Sequence, residues 1–217
     1  MLALSPDLCL GIAIDGKLAA SATAICYGRR LAWIGMVLTL PEYRGRGLAR
    51  KLFAAILEQL RGMGIEAIKL DASEMGAGLY REFGFQDEEP VERWEREGAA
   101  LELKAGEEYL GENAVWRSLA RDGRMWSLED GSFAIVRAGA QRGYVGPIVA
   151  GSRRAARELL RAVDGVGLYW DLLPEFGEAR ALAWYLGFRP VRRLMRMRLG
   201  AGARSERVFG IAGFEYG

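Results

Sequence analysis

Pro41-Glu42-Tyr43-Arg44-Gly45-Arg46-Gly47-Leu48-Ala49 decides the reading of this chain. Before it lies the longest apolar run, Leu31 to Leu40, which has the length of a strand. Pro41 has no N–H to give to a ladder and ends that strand. After it the period changes. Leu48, Leu52, Ile56 and Leu60 recur every four residues, and Phe53 and Leu57 widen the apolar stripe. Arg50, Lys51, Glu58, Gln59 and Arg61 fall elsewhere, so Arg46 to Gly62 is predicted to be an amphipathic helix that Gly62 and Gly64 stop. The stretch is therefore a strand-to-helix turn. Its two glycines let a ligand approach the backbone, and the first turn of a helix offers unpaired N–H groups and a partial positive charge. Arg44, Arg46 and Arg50 add cationic donors, which together suit a phosphate or pyrophosphate. A Gly-rich turn with solvated arginines reads the same from this window alone. Two phosphate motifs are excluded: no Gly-Lys-Ser/Thr is present, and Arg50 stands where a dinucleotide fingerprint needs its third glycine.

Working outward, Leu8–Ile14 and Leu18–Ala24 are apolar runs separated by Asp15-Gly16-Lys17, a hairpin signal. Gly28-Arg29-Arg30 turns the chain into the next strand. Beyond the helix, Ile65–Leu70 alternates as a strand, and a short helix runs through Tyr80–Glu82. Gly84-Phe85 then leads to a charged strand near Val91–Trp94. Helices and strands are interleaved on one mixed sheet. The rest of the chain passes through the same order again. Ser132–Val136 and Gly143–Val149 read as strands, Ser152–Val163 as a helix, Leu168–Leu172 as a strand and Ala179–Tyr185 as a helix. Gly187-Phe188 and a basic strand, Arg192–Leu199, follow. Leu70-Asp71 ahead of Gly84-Phe85 is echoed by Trp170-Asp171 ahead of Gly187-Phe188. Gly98, Ala99, Ala100, Ala105 and Gly106 interrupt the pattern, which places the expected domains at 1–98 and 99–217.

Composition removes several classes of function. Hydrophobic residues at 51% and charged residues at 27% describe a soluble globular chain. Thirty basic against 28 acidic residues give +2, too weak a field for a nucleic-acid partner. Counted from the same sequence, 1–98 carries 12 basic and 14 acidic residues, and 99–217 carries 18 and 14. The arginines between Arg189 and Arg198 alternate with apolar residues and read as a solvated strand face. With no histidine, His-based acid–base catalysis is excluded, and no metal site is expected. Cys9 and Cys26 are expected to be free thiols buried on strands. No apolar stretch is long enough for a membrane helix, and Met1–Pro6 lacks a basic export signal, so a cytoplasmic protein is expected.

Arg44-Gly45-Arg46-Gly47-Leu48-Ala49 resembles motif A of the GNAT acetyltransferases, Arg/Gln-x-x-Gly-x-Gly/Ala. The strand Trp33–Thr39 ahead of it is similar to that family's fourth strand. Leu79-Tyr80-Arg81-Glu82-Phe83-Gly84-Phe85 is similar to its later Tyr-x-x-x-Gly-Phe segment. Both occur in the family's order and cover most of 8–97. The resemblance implies an α+β fold, a mixed α/β sandwich with a largely antiparallel sheet flanked by helices, here in two tandem copies. It implies acetyl-CoA as acyl donor and a small-molecule or peptide amine as acceptor. It places the pantetheine arm on the backbone of Val37, Leu38 and Thr39, and the pyrophosphate on the N–H groups of Gly45, Arg46, Gly47, Leu48, Ala49 and Arg50. It gives Tyr80 the role of acid toward the departing thiolate, chemistry a phenol can perform.

The sequence departs from the family in four places. Some members carry a basic Glu on the fourth strand, but Trp33–Leu40 contains no acid; Asp71 and Glu74 follow the next strand and serve equally as turn or cap residues. Ser73 stands where many relatives have a cofactor-contacting Asn. The family's opening strand and helices, which build part of the acceptor pocket, are missing ahead of Leu8, although a lead-in exists for the second copy around Gly111–Arg121. Another segment, or a second chain in a homodimer, would have to fill that gap. The second copy is a degenerate relative: no Arg-Gly-x-Gly follows Gly146-Pro147-Ile148-Val149-Ala150, and Ala183 replaces the Tyr80 equivalent. Trp33, Met36 and Trp94 are candidates for an apolar pocket as much as for core. The expected activity is direct transfer of an acetyl group to a primary amine; the alternative is a non-catalytic acyl-CoA-binding module.

Overall fold

The computed structural model describes residues 4–102, 114–121, 123–201 and 207–216. In chain order its elements are β1 (Cys9–Ile14), β2 (Lys17–Tyr27), β3 (Leu31–Thr39), α1 (Leu48–Gly62), β4 (Ala67–Ala72), α2 (Glu74–Glu82), β5 (Gln86–Arg96), α3 (Ala114–Arg121), β6 (Gly123–Ser127), β7 (Phe133–Arg137), β8 (Gly143–Val149), α4 (Arg153–Leu160), β9 (Leu168–Leu172), α5 (Gly177–Tyr185), β10 (Arg189–Gly200) and β11 (Val208–Gly210). Two compact units divide them. The first takes the described residues of Met1–Glu88, Met195–Ala203 and Phe214–Gly217, the second those of Glu89–Leu194 and Arg204–Gly213. The units are thus not the contiguous halves 1–98 and 99–217. The strand after each Gly-Phe pair contributes to the sheet of the other unit, because a strand joins whichever unpaired edge it fits rather than its neighbour in sequence. Residues 105 and 106, used to place the division, lie outside the described residues.

In the first unit Asp15 and Gly16, with φ of 51° and 76°, make the two-residue turn that pairs Ile14 with Lys17 in the β1–β2 hairpin. β2 and β3 are antiparallel, β3 and β4 are parallel across α1, and β10 closes the row antiparallel to β4 from Met195↔Ala72 to Gly200↔Ala67. The result is a mixed, largely antiparallel sheet. Leu48, Leu52, Phe53, Ile56, Leu57 and Leu60 of α1 are all buried against one face of it, as their spacing requires. Each such side chain stabilises the unit by about 1.5–3 kcal/mol. α2 lies on the same face, with Phe53 4.8 Å from Tyr80 between ring centroids. Gly64, at φ 68°, ends α1.

The opposite face of this sheet is polar and aromatic. Arg196 of β10 donates from Nε to Asp71 Oδ1 at 3.0 Å and from Nη2 to Oδ2 at 3.2 Å, and its guanidinium lies 4.6 Å from the Trp33 ring centre. Trp33 Nε1 donates to the Phe214 carbonyl at 2.9 Å, and Tyr27 Oη to that of Tyr216 at 2.5 Å, so Phe214–Tyr216 covers part of this face. The arginine run of β10 is therefore not a uniformly solvated face. Arg189, Arg192 and Arg193 are exposed, but Arg196 is buried.

The second unit repeats the arrangement. Its sheet runs β5-β9-β8-β7-β6, antiparallel except for β8 and β9, which are parallel across α4. Arg93 of β5 makes the same bidentate pair with Asp171 of β9, both bonds at 2.7 Å. Trp94, Trp170, Phe188 and Phe209 fill its core. β6 and β11 were not anticipated by the sequence reading. α3 accounts for part of the expected lead-in; residues 111–113 lie outside the described residues. Cys9 and Cys26 are free but only half-buried, and burial raises both thiol pKa values. Among the described residues no helix is long and apolar enough to cross a membrane.

Candidate functional site

The site in the first unit begins where β3 and β4 part. β4 pairs with β3 only at Ala32↔Ile68 and Trp33↔Lys69. Beyond Trp33 no strand among the described residues takes that edge of β3. Two residues on, Met36 is held at φ 52°, and the register against β2 slips between Ser21 and Thr23. This is a bulge, and a non-glycine residue in that conformation costs about 1–3 kcal/mol. Ser21 Oγ and Thr23 Oγ1 tie it down by donating to the Met36 and Gly35 carbonyls. Leu40 N–H donates to the Ala19 carbonyl, and Leu38 lies opposite Ser21. By the alternation of an antiparallel pair, the main chain of Leu38 thus faces β2, while that of Val37 and Thr39 faces the opening. Of the three expected pantetheine contacts, Val37 and Thr39 are presented and Leu38 is turned away.

The anion loop follows directly. Gly45 and Gly47 sit at φ 75° and 72°, and a Cβ built on either would meet nothing within 4 Å. Glycine is needed here for the left-handed backbone, not to relieve crowding from within the protein. Gly47 is the N-cap of α1 and supplies no side-chain cap. The first intrahelical bond runs from Lys51 N–H to the Gly47 carbonyl, so the N–H groups of Leu48, Ala49 and Arg50 have no intrahelical acceptor. Leu48 itself anchors the helix in the core and Ala49 is half-buried, so both take part only through main chain. Arg44 donates from Nε to the Thr39 carbonyl at 3.3 Å; Arg46 lies over the Tyr43 ring. Among the described residues neither faces a carboxylate. Arg50 differs: its guanidinium pairs with Glu82 of α2 and lies over Phe83. Its side chain is committed to Glu82, which leaves its N–H for an anion.

The residues present fit a phosphopantetheine ligand on two counts. A left-handed glycine loop opens onto an uncapped helix N-terminus. At the mouth of the β3 edge, Thr39 Oγ1 is buried without a hydrogen-bond partner, a state that costs about 1–3 kcal/mol until something bonds it.

Tyr80 lies on α2 with its ring against Phe53 and Phe85 and is 8% exposed. Burial pushes its pKa up to about 12. A Cβ on Gly76 would stand 3.5 Å from the Tyr80 hydroxyl, so the hydroxyl comes back over the first turn of α2. Ser73 Oγ caps that turn by accepting from Gly76 N–H at 3.2 Å. Of the acids that could serve as base, Asp71 is excluded by its burial against Arg196. Glu74 is exposed in the first turn of α2, where a carboxylate favours the helix dipole. Trp33 is buried on the outer face and Trp94 belongs to the core of the second unit, whereas Met36 is exposed at the bulge. Sequence reasoning missed the bulge. A bulge is a register relation between two strands, and periodicity within one strand does not encode it.

The corresponding place in the second unit is closed. Ser152 Oγ caps α4 by accepting from Ala155 N–H at 3.2 Å, and Ala183 is fully buried where Tyr80 would be expected. β11 pairs antiparallel with β8, Val208↔Val149 and Gly210↔Ile148, and Ile211 N–H donates to the Asp171 carbonyl of β9 at 2.9 Å. A segment of the chain itself fills the opening between these two strands.

Residues 2–85 match the Acetyltransferase (GNAT) family. The whole chain superposes on 82% of a Pyrococcus horikoshii protein provisionally described as an acetyltransferase, with TM-score 0.82 and 25% identity. GCN5-related N-acetyltransferases of Sphaerobacter thermophilus and Kribbella flavida share the fold at TM-score 0.55. The first is 18% identical, over 87% of this chain and 78% of its own; the second is 17% identical, over 91% and 62%. The chain thus spans less than two thirds of the Kribbella protein. No curated protein matches the sequence.

Proposed function

We propose that this chain, whose residues 2–85 match the Acetyltransferase (GNAT) family, is an acetyltransferase of that family that takes acetyl-CoA as co-substrate and transfers an acetyl group directly to a primary amine. One observation carries the reading: the open edge of β3, from the bulge at Met36 to Thr39, leads straight into an uncapped helix N-terminus. Val37 and Thr39 would pair with the pantetheine amides, and the N–H groups of Gly45 to Arg50 would hold the pyrophosphate. When bound, acetyl-CoA supplies an activated thioester. The protein supplies position and polarity: a main-chain N–H of β3 polarises the carbonyl, and Tyr80 delivers a proton to the leaving sulfur. At a pKa of about 12 Tyr80 keeps its proton at any physiological pH, so it acts as a standing donor. Two unpaired thiols support a reducing, cytoplasmic setting.

Calorimetric titration with acetyl-CoA tests the assignment. One equivalent should bind per chain, and Gly47→Glu, which strains the left-handed position and sets a carboxylate against the pyrophosphate, should weaken binding at least about 100-fold. Two equivalents, or full affinity in the variant, would defeat the placement of the site. Binding without transfer to any primary amine would favour the non-catalytic module.

A further inference from the structure

We propose that the groove between α4 and α5 of the second unit binds single-stranded nucleic acid, its arginines taking the phosphates and Tyr185 a base. The inference goes beyond acetyl transfer and does not rest on it, since it concerns another unit and another ligand.

α4 and α5 pack side by side, with Ala156 and Leu159 of one and Ala179 and Leu182 of the other in the same core. Their outward faces leave a groove of about 320 Å³, lined by Arg153, Arg154, Arg157, Leu182 and Tyr185. The lining holds three cations and no carboxylate. All three arginines are exposed, and among the described residues none of them pairs with an acid. Glu158, the only acid in α4, pairs instead with Arg161 at 3.0 Å. This placement runs against the helix. Arg153 and Arg154 stand in the first turn of α4, where the dipole disfavours a cation, and Arg153 and Arg157 are like charges one turn apart. Ser152 already caps that turn by accepting from Ala155 N–H, so the site is made of side chains and not of a helix start. A charge conflict that the protein itself leaves uncompensated marks a place for an anion.

Two aromatic rings select the kind of anion. Tyr185 is 59% and Trp184 58% exposed, the first in the groove and the second next to it on α5. Each carries an arginine over its ring. Arg157 lies 4.9 Å from the Tyr185 centre and donates from Nη2 to its Oη at 3.0 Å; Arg189 lies 4.1 Å from the Trp184 centre. Trp184 is also held edge-to-face against the buried Trp94. An exposed ring, fixed in place and accompanied by a cation, is a platform for a planar partner. An acidic peptide offers carboxylates to the arginines but nothing flat to the rings, whereas a nucleobase with its phosphate offers both. The groove has room for one nucleotide unit, and Trp184 with Arg189 repeats the pairing for the next, so the ligand is a strand and not a free nucleotide. Stacking platforms take unpaired bases, which a duplex keeps turned inward. The whole-chain charge of +2 hides this face because it averages in the acids elsewhere.

The test follows the fluorescence anisotropy of an end-labelled oligothymidine of about 12 nucleotides mixed with the full chain at low salt. The oligonucleotide should bind, and its affinity should fall roughly tenfold for each fourfold rise in salt, as contact with two or three phosphates requires. Arg153→Glu combined with Arg154→Glu should weaken binding at least about tenfold while the melting temperature holds or rises, because acids suit the first turn of α4. Tyr185→Ala should weaken it about tenfold, and Tyr185→Phe, which keeps the ring, should recover most of that loss. Saturating acetyl-CoA should leave the affinity unchanged. No binding at low salt, or full affinity in the double variant, would overturn the site. Competition by acetyl-CoA would move the oligonucleotide to the loop after β3 and overturn it equally. Equal affinity for a duplex of the same length, for poly-glutamate or for inorganic tripolyphosphate would overturn the single-strand assignment, as would a Tyr185→Ala variant that binds like wild type.

Discussion

β3 and β8 start alike and end differently. Each carries an aromatic residue two places before a glycine, Trp33-Ile34-Gly35 and Tyr144-Val145-Gly146, and each aromatic donates to a carbonyl of the C-terminal segment, Phe214 and Ile211 respectively. Each strand is parallel to the next for only a few residues before the two diverge. In the first unit no strand among the described residues enters the divergence, and the helix beyond it begins at a glycine without a side-chain cap. In the second, β11 enters the opening and Ser152 satisfies the helix. The same groups that make an anion site when left unsatisfied make a stable helix start when a hydroxyl bonds them. Binding and capping compete for identical N–H groups. The same strand-to-helix arrangement can therefore be closed or left open without a change of architecture.

The comparison breaks most severely if the shared part is attacked. Asp71→Asn leaves Arg196 buried opposite an uncharged partner and should destabilise the protein by about 3–5 kcal/mol in denaturant unfolding. Asp171→Asn should fall at or below the lower end of that range, because the Arg93 side chain remains 23% exposed and keeps part of its hydration. Equal, negligible losses would mean that the exchanged strands are not held by these pairs.

The next effect sharpens the contrast between Tyr80 and Ala183. Tyr80→Phe should lower kcat about 100-fold with acetyl-CoA affinity unchanged, and Ala183→Tyr should create no second binding equivalent. The wild-type rate should show no downward limb from Tyr80 up to about pH 10, since its titration is displaced to about 12. The sign for stability follows. The unfolded tyrosine loses its proton near 10 and the folded one near 12, so this contribution is complete below pH 10 and is lost as pH rises toward 12. A limb near pH 8 that vanishes in Tyr80→Phe would contradict the burial of the phenol.

The smallest effect belongs to the caps. Ser152→Ala should cost about 1 kcal/mol of stability and leave acetyl-CoA binding untouched. A change in affinity would show that the second unit contributes to the site.

Much of this was legible. The four-residue recurrence of α1, the Asp15-Gly16 hairpin and the Gly45/Gly47 loop are local patterns, and local physics fixes them. Partners distant in sequence were not. That β10 rather than β5 lies beside β4 is a choice between edges, and two charged strands of similar length present no difference in periodicity. One signal was available: Arg93 follows Phe85, and Arg196 follows Phe188, by eight residues, each with a buried Asp in the repeat. β11 is three residues long, too short for any period, and forms because an opening exists for it. The seating of Glu215 on Gly35 is hidden for the same reason, since nothing within the sequence near it mentions Gly35.

The exchange of strands also sets the order in which the protein can be completed as it leaves the ribosome. Asp71 must wait for Arg196, 125 residues later. At ordinary rates of synthesis that interval lasts roughly 6–25 s. Throughout it the edge of β4 has no partner from its own unit and a carboxylate on it has no counter-charge. The nascent chain is thus most vulnerable to joining a neighbouring copy while its first unit is nearly, but not yet, whole.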